Sequence, residues 1–165
     1  MRPVAVPITN LRRIAVAAAG LHRSGAFGRG PDAGGRVLAH LGQVQIDTIS
    51  VVRRAHEHVV DARADGFAAA HWNRLVARGE AFEYWAHAAA YLPMAEYRCA
   101  LPRMRRYAAR HPWGLVADAR TRRAVLERIR AEGPLRARDF DDAARQEIRG
   151  WGRYKDSRIA LEQLW

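Results

Sequence analysis

Cysteine is almost missing from this 165-residue chain. Cys99 stands alone, so an intramolecular disulfide framework is excluded and a reducing compartment is expected. Lysine is as scarce: Lys155 is the only one, and arginine supplies nearly all of the 28 basic side chains. Only 17 acidic residues oppose them, which leaves a formal net charge of +11. Long apolar runs are lacking too. The longest, residues 14–21, falls far short of the roughly 20 residues that span a bilayer. The opening string MRPVAVPITN has no apolar signal-peptide core, and Pro3 and Pro7 interrupt it. These absences point to a soluble intracellular protein of the cytoplasm, with no membrane partner.

What is present is enough for folding. Apolar residues make up 49% of the chain, and its length suits one domain or two very small ones with a real core. Arginine forks match phosphates and base edges, whereas lysine acts as a point charge. The balance therefore favours a polyanion, nucleic acid first. Arginine-rich coding bias predicts the same composition.

Residues 9–21 carry Leu11, Ile14, Ala15, Ala18 and Leu21 at helical spacing behind Thr9, which reads as a capped helix with that stripe in the core. The glycine-rich string 24–35 is a connector. No strand precedes it, so a phosphate-cradling loop is not expected. A short helix over 36–41 stops at Gly42. A helix over 48–63, open to a break near Arg54, and one over 67–78 with Phe67, Trp72, Leu75 and Val76 inward come next. Residues 81–92, AFEYWAHAAAYL, read as one or two strands or an irregular wing. After Pro93 an arginine-studded helix covers 94–109, kinked or ended by Pro102, and His111-Pro112 closes the first unit. Residues 118–131 form an amphipathic helix through Ala124, Val125, Leu126 and Ile129, stopped by Gly133-Pro134. A short helix over 137–140, a charged loop or frayed helix over 141–150, and a helix over 155–165 with Ile159, Ala160 and Leu164 inward complete the chain.

Helix, short helix, helix is the front half of a winged helix, a relative of the helix-turn-helix. The pattern occurs loosely over 9–92 and again over 118–165. The expected fold is mainly α with short strands: a tandem winged helix whose second unit is incomplete. Residues 1–115 would form the first domain, and 116–165 the start of a second, truncated before its wing.

The chemistry concentrates in residues 41–60, LGQVQIDTISVVRRAHEHVV. Polar and apolar residues alternate from Gln43 to Asp47, so a short strand places Gln43, Gln45 and Asp47 on one face and Val44 and Ile46 on the other. Asp47 or Thr48 can N-cap the next helix. An amide and a carboxylate thus arrive together at a helix mouth. The plain alternative is that Asp47 only caps and Gln45 is only a solvated strand residue. His56 and His58, two apart on a helix, point to different faces and make a poor metal pair. No Cys/His cluster speaks for zinc, and neither a metal nor a cofactor is expected.

The strings LGQVQIDTISVVRRAH and ARGEAFEYWAHAAAYLP, followed by EYRCALPRM, resemble the interstrand-crosslink DNA glycosylases of the YcaQ/AlkZ-like winged-helix family. GPLRARDF and then GWGRYKDSRIALEQLW are similar to the start of that family's second winged helix. The likeness covers most of residues 9–165, with several separate motifs in order. Proteins of that family are tandem winged helices plus a small β-barrel and are much longer, so the chain resembles their N-terminal part.

The resemblance implies a catalytic pair at Gln45 and Asp47. Gln43-Val44-Gln45 fits a sister branch of the motif, but Thr48-Ile49-Ser50 follows the branch with the acid. It also implies double-stranded DNA with N7-alkylated or crosslinked purines as substrate, and so a nucleoid-associated protein. N7 alkylation leaves a cationic base, already a good leaving group, so acid catalysis is dispensable. Asp47 would activate water and stabilise an oxocarbenium-like sugar, and Gln45 would hold the water. Lys155 lies far along the chain, which disfavours a Schiff-base lyase. A monofunctional glycosylase, monomeric, is expected. Access to a base calls for flipping, and Tyr84, Trp85 and His87 are pocket candidates. Core packing for the two aromatics and a satisfied histidine are the alternatives. Arg53, Arg54, Arg103, Arg105 and Arg106 are candidates for phosphate contacts, each alternatively a solvated charge. The competing functions are a non-catalytic winged-helix DNA binder and an inactive truncated remnant.

Overall fold

The computed structural model describes residues 4–109, 116–141, 145–148 and 152–164. They belong to two compact units, Met1–Cys99 and Ala100–Trp165. The domain boundary expected at 115/116 adjoins residues 110–115, which lie outside the described residues together with His111-Pro112. The described chain is mainly helical with short antiparallel strands. No helix among the described residues is long and apolar enough to cross a membrane.

The first unit runs α1 (Ile8–Ala18), α2 (Pro31–Leu41), β1 (Val44–Gln45), α3 (Ala55–Asp61), α4 (Ala70–Ala77), β2 (Ala81–Trp85) and β3 (Ala89–Pro93). The three strands form one antiparallel sheet in the order β1-β3-β2. Val44 faces Tyr91, which faces Glu83, and Gln45 faces Ala90, which faces Tyr84. Cross-strand partners share a sheet face. Val44, Tyr91 and Glu83 are therefore on one side, and Gln45, Ala90 and Tyr84 on the other.

α2 begins five residues earlier than the pattern predicted. Pro31 starts it at no hydrogen-bond cost, because the first helical N–H is unused. Gly34 and Gly35 are helical rather than connector. A Cβ on Gly34 would sit 2.1 Å from Cε2 of Phe67, so glycine lets the Phe67 ring pack on the helix backbone. Gly42 ends α2 in the left-handed region, with φ 76° and its N–H on the Leu38 carbonyl at 2.9 Å.

The core of this unit joins Val37 and Leu38 of α2, Val44 of β1, Val60 of α3, Phe67, Trp72 and Leu75, and Ala81 and Tyr91 of the hairpin. Phe67, Trp72 and Leu75 face inward as the spacing predicts, but Val76 is exposed. Burying each large side chain contributes about 1.5–3 kcal/mol, and this one cluster ties every element from α2 to β3. α1 is the exception. It buries no residue, and Leu11, Ile14 and Leu21, read as core, lie exposed with Ile8 and Val16. Among the described residues only its C-terminal end is held: Arg63 Nε donates to the Ala19 carbonyl, and His40 Nε2 to that of Ala18, each at 2.8 Å. Its first turn follows Pro7, whose carbonyl takes the Asn10 and Leu11 N–H groups, so Thr9 does not cap it.

A 3₁₀ turn, Met94–Glu96, leads into α5 (Tyr97–Ala109), which crosses the boundary between the units. Pro102 lies inside α5 without ending it, because the Arg98 carbonyl left unmatched is at an exposed position. The second unit continues with α6 (Ala119–Glu132), a 3₁₀ turn Ala137–Asp139, the hairpin β4 (Arg145–Ile148) and β5 (Gly152–Lys155), and α7 (Asp156–Leu164). Asp118 caps α6, its carboxylate accepting the Thr121 N–H and hydroxyl at 2.8 Å each. These bonds to the ionised form hold the Asp118 carboxyl below its usual value. Val125, Phe140, Ile159 and Ala160 make the core, while Ala124 and Leu164 are exposed. The charged stretch read as loop or frayed helix contains a strand, β4, because residues 145–148 find a ladder partner in β5.

Candidate active site

The site is built by a strand that stops early. β1 covers only Val44 and Gln45, and one more ladder bond, Ile46 N–H to the Ala89 carbonyl at 2.8 Å, holds the chain to the sheet. The ladder thus ends before Asp47, and the strict alternation expected from Gln43 to Asp47 is not imposed on it. Nor does Asp47 cap a helix. Its Oδ1 accepts the Ile49 N–H at 2.8 Å, an Asx turn on its own chain. The helix expected over 48–63 is confined to α3, seven residues long and starting at Ala55. Thr48, Ile49, Val51 and Val52 are β-branched and lose rotamer freedom in a helix. They form instead a loop closed by a bridge between Ser50 and Arg54, with Ile49, Val51 and Val52 exposed.

The first turn of α3 returns beneath this loop. The backbone N–H of Asp47 donates to Nδ1 of His56 at 3.1 Å. His56 is 4% exposed. Its ring sits edge-on to Trp72 and Tyr91, with centroids 6.3 and 6.0 Å away. Burial in these aromatic surroundings lowers its pKa, with Arg54 acting the same way and Glu57 and Asp47 against. A ring nitrogen that accepts an amide N–H must be unprotonated, and the lowered pKa favours the same neutral His56. Burial and the nearby Glu83 carboxylate, to which it is hydrogen-bonded, push the Tyr91 phenol up to about 12. Asp47 is half-buried: Oδ1 is held by Ile49, and Oδ2 has no partner among the described residues.

The other sequence candidates are dispersed. Gln45 and Gln43 are exposed. Tyr84 is buried, 3% exposed, on the Gln45 side of the sheet. Trp85 alternates to the Tyr91 side and is 41% exposed. His87 lies exposed in the β2–β3 turn. The structure therefore does not gather these three into one lining. Arg53 is engaged with the helix that follows it: Nε meets Glu57 Oε2 at 2.9 Å, and the guanidinium also bonds Asp61. Arg54 is exposed and makes no ion pair among the described residues. On α5, Arg103 lies over the Tyr107 ring and donates to its hydroxyl at 3.0 Å, and Arg105 and Arg106 are exposed. His56 is buried and His58 exposed, and the described residues hold no group of three or more metal-type side chains. Lys155 donates to the Phe140 carbonyl at 2.6 Å.

His56 itself was missed by sequence reasoning, which weighed it only as half of a metal pair. The available signal was its spacing four residues before Val60, which puts both on the inward side of α3.

A backbone-anchored carboxylate beside a buried imidazole, on a strongly basic chain, suits an enzyme that acts on a polyanion. The comparison with known families gives that enzyme class as DNA glycosylase. The family described as DNA glycosylase AlkZ-like matches residues 38–165, from within α2 to the end of the second unit. The chain belongs to this AlkZ-like family. DNA repair is accordingly its general role and DNA its partner. No solved structure matches the chain.

Proposed function

We propose that the chain hydrolyses the N-glycosidic bond of N7-alkylated purines in duplex DNA, crosslinked ones included, as a monofunctional glycosylase working as a monomer in the cytoplasm, at the nucleoid. The observation that carries the reading is the Asp47 carboxylate, with Oδ1 fixed by Ile49 and Oδ2 without a partner among the described residues. The anchored oxygen keeps the group in place, and the second is available to water or to a sugar cation. Water adds its oxygen to C1′ as the bond to N9 breaks, and the bonding pair stays on the base and cancels its charge. Asp47 takes the proton from the water, and until then its negative charge faces the oxocarbenium-like sugar. Gln45 holds the water through its side-chain amide. A positioned base of this kind contributes about two to four orders of magnitude. The tie of Lys155 to the Phe140 carbonyl supports hydrolysis over a Schiff base.

The first unit's order of helix, strand, helix, helix and hairpin, with its β1-β3-β2 sheet, supports a winged-helix reading. A winged helix would lay α4 along DNA.

The test is release of 7-methylguanine from alkylated duplex DNA by wild type and by Asp47→Asn. Asparagine keeps an oxygen for the Ile49 N–H, so the turn survives while the charge and the base are lost. Release that drops about 100-fold or more supports the proposal. Equal release by both proteins removes Asp47 from the mechanism. Tight binding to duplex without release from the wild type favours a non-catalytic DNA binder.

A further inference from the structure

We infer that His56 is a positioning residue for the Asp47 carboxylate, a neutral imidazole that latches the Asp47 peptide to the first turn of α3. The inference rests on the reading of Asp47 as the acting group. Three observations meet at this ring. It is the one side chain of α3 that reaches the Asp47 backbone, through Nδ1 and the Asp47 N–H at 3.1 Å. It is buried, so the bond is shielded from competing water. And its own orientation is fixed from two other elements, by Trp72 of α4 and Tyr91 of β3.

The latch replaces what the sheet does not supply. After the Ile46 N–H the ladder is finished, and the next residues form an exposed loop. The Asp47 peptide is thus the point where the chain leaves the sheet, and its N–H has no strand partner. His56 supplies an acceptor there. The same peptide carries the Cα from which the carboxylate reaches to Ile49. Releasing the N–H frees the peptide to rotate and moves the carboxylate with it. A misplacement of about 1 Å in a reacting group can cost about 100-fold in rate.

The latch works in one protonation state only. A proton on Nδ1 would oppose two donors, so acid breaks it. The charged and titratable groups around the ring are Glu57 on α3, Arg54 at its start, Asp47 on the preceding loop and Tyr91 on β3, itself hydrogen-bonded to Glu83. Burial outweighs the two carboxylates and keeps the ring neutral.

The experiment compares His56→Asn and His56→Phe with wild type in the complete chain. The Asn side-chain oxygen occupies roughly the Nδ1 position and keeps an acceptor. Phe fills the aromatic space and deletes it. The readouts are single-turnover release of 7-methylguanine, duplex affinity, and hydrogen exchange at the Asp47 amide. The expected result for His56→Phe is faster exchange at Asp47 and release slowed by about 10- to 100-fold, with affinity within about two-fold of wild type. His56→Asn should recover most of both the release and the protection. The rate profile of wild type should fall on the acid side, and in His56→Asn that fall should move to lower pH, because only the need for an ionised Asp47 remains. Wild-type release by His56→Phe, or equal loss in the two variants, overturns the latch. If wild type releases no base, the reading of Asp47 fails, and Asp47 exchange alone decides the latch: unchanged protection in His56→Phe rejects it.

Discussion

The indole of Trp72 lies flat on the ring of Tyr91, with centroids 4.1 Å apart and planes 4° from parallel. This stack fastens α4 to the central strand of the sheet, and the His56 ring sits edge-on to both rings. Yet the Trp72 Nε1–H is buried without a hydrogen-bond partner among the described residues. Two substitutions should therefore part company. Trp72→Ala empties the centre of the core and is expected to cost about 3–5 kcal/mol. Trp72→Phe keeps a ring on Tyr91 and removes the unsatisfied donor, which returns about 1–3 kcal/mol and offsets most of the lost contact. Urea unfolding followed by circular dichroism distinguishes them. A Trp72→Phe midpoint as low as that of Trp72→Ala would show that the orphan N–H carries no penalty.

The burial of His56 gives stability a pH dependence of definite sign. Its folded pKa lies below the unfolded value of 6.5, so below that pH the unfolded chain binds more protons than the folded one. Stability then rises with pH. His56 contributes in full above about pH 6.5, and its contribution is lost as pH falls below that value. Urea midpoints measured between about pH 7.5 and pH 5 should fall toward acid in wild type, and by less in His56→Phe. Parallel curves for the two proteins would assign the acid loss to other groups.

Much of this fold was legible because periodicity reports burial directly. Phe67, Trp72 and Leu75 read as inward-facing and are buried, although α4 begins only at Ala70 and Phe67 precedes it. The aromatic string after Gly79, read as one or two strands or an irregular wing, forms two strands. What misled was pattern without a partner. Leu11 and Ile14 have helical spacing, but among the described residues nothing covers them. The run after Asp47 looked helical from its apolar content, yet its β-branched residues and the Asp47 side chain make a turn more favourable. The motif Gln45-Ile46-Asp47 was visible as spacing. Its anchor was not, because the bond from Asp47 to His56 spans nine residues and depends on where α3 begins. No period encodes a contact of that kind. The position of Arg53 and Arg54 was equally opaque, since adjacent residues on a chain about to enter a helix point in different directions.

Those two arginines give the last expected contrast. Arg53 is paired with Glu57, whose side chain is 11% exposed, and with Asp61. Arg54 is exposed and has no such pair among the described residues. Arg53→Ala leaves a nearly buried carboxylate without its cation and should cost about 1–2 kcal/mol of stability after discounting for solvent around the half-exposed arginine. Arg54→Ala should leave stability within about 0.5 kcal/mol. Duplex binding should show the reverse order. A phosphate contact through Arg54 releases a counterion, so its loss weakens binding to all sequences alike and reduces the slope of log affinity against log salt by about 1. Arg53→Ala should leave that slope unchanged, because its charge is already neutralised within the protein. Fluorescence anisotropy on a short duplex across a salt series measures both slopes. An unchanged slope in Arg54→Ala would remove it from the DNA interface, and a reduced slope in Arg53→Ala would mean that its ion pairs open when DNA binds.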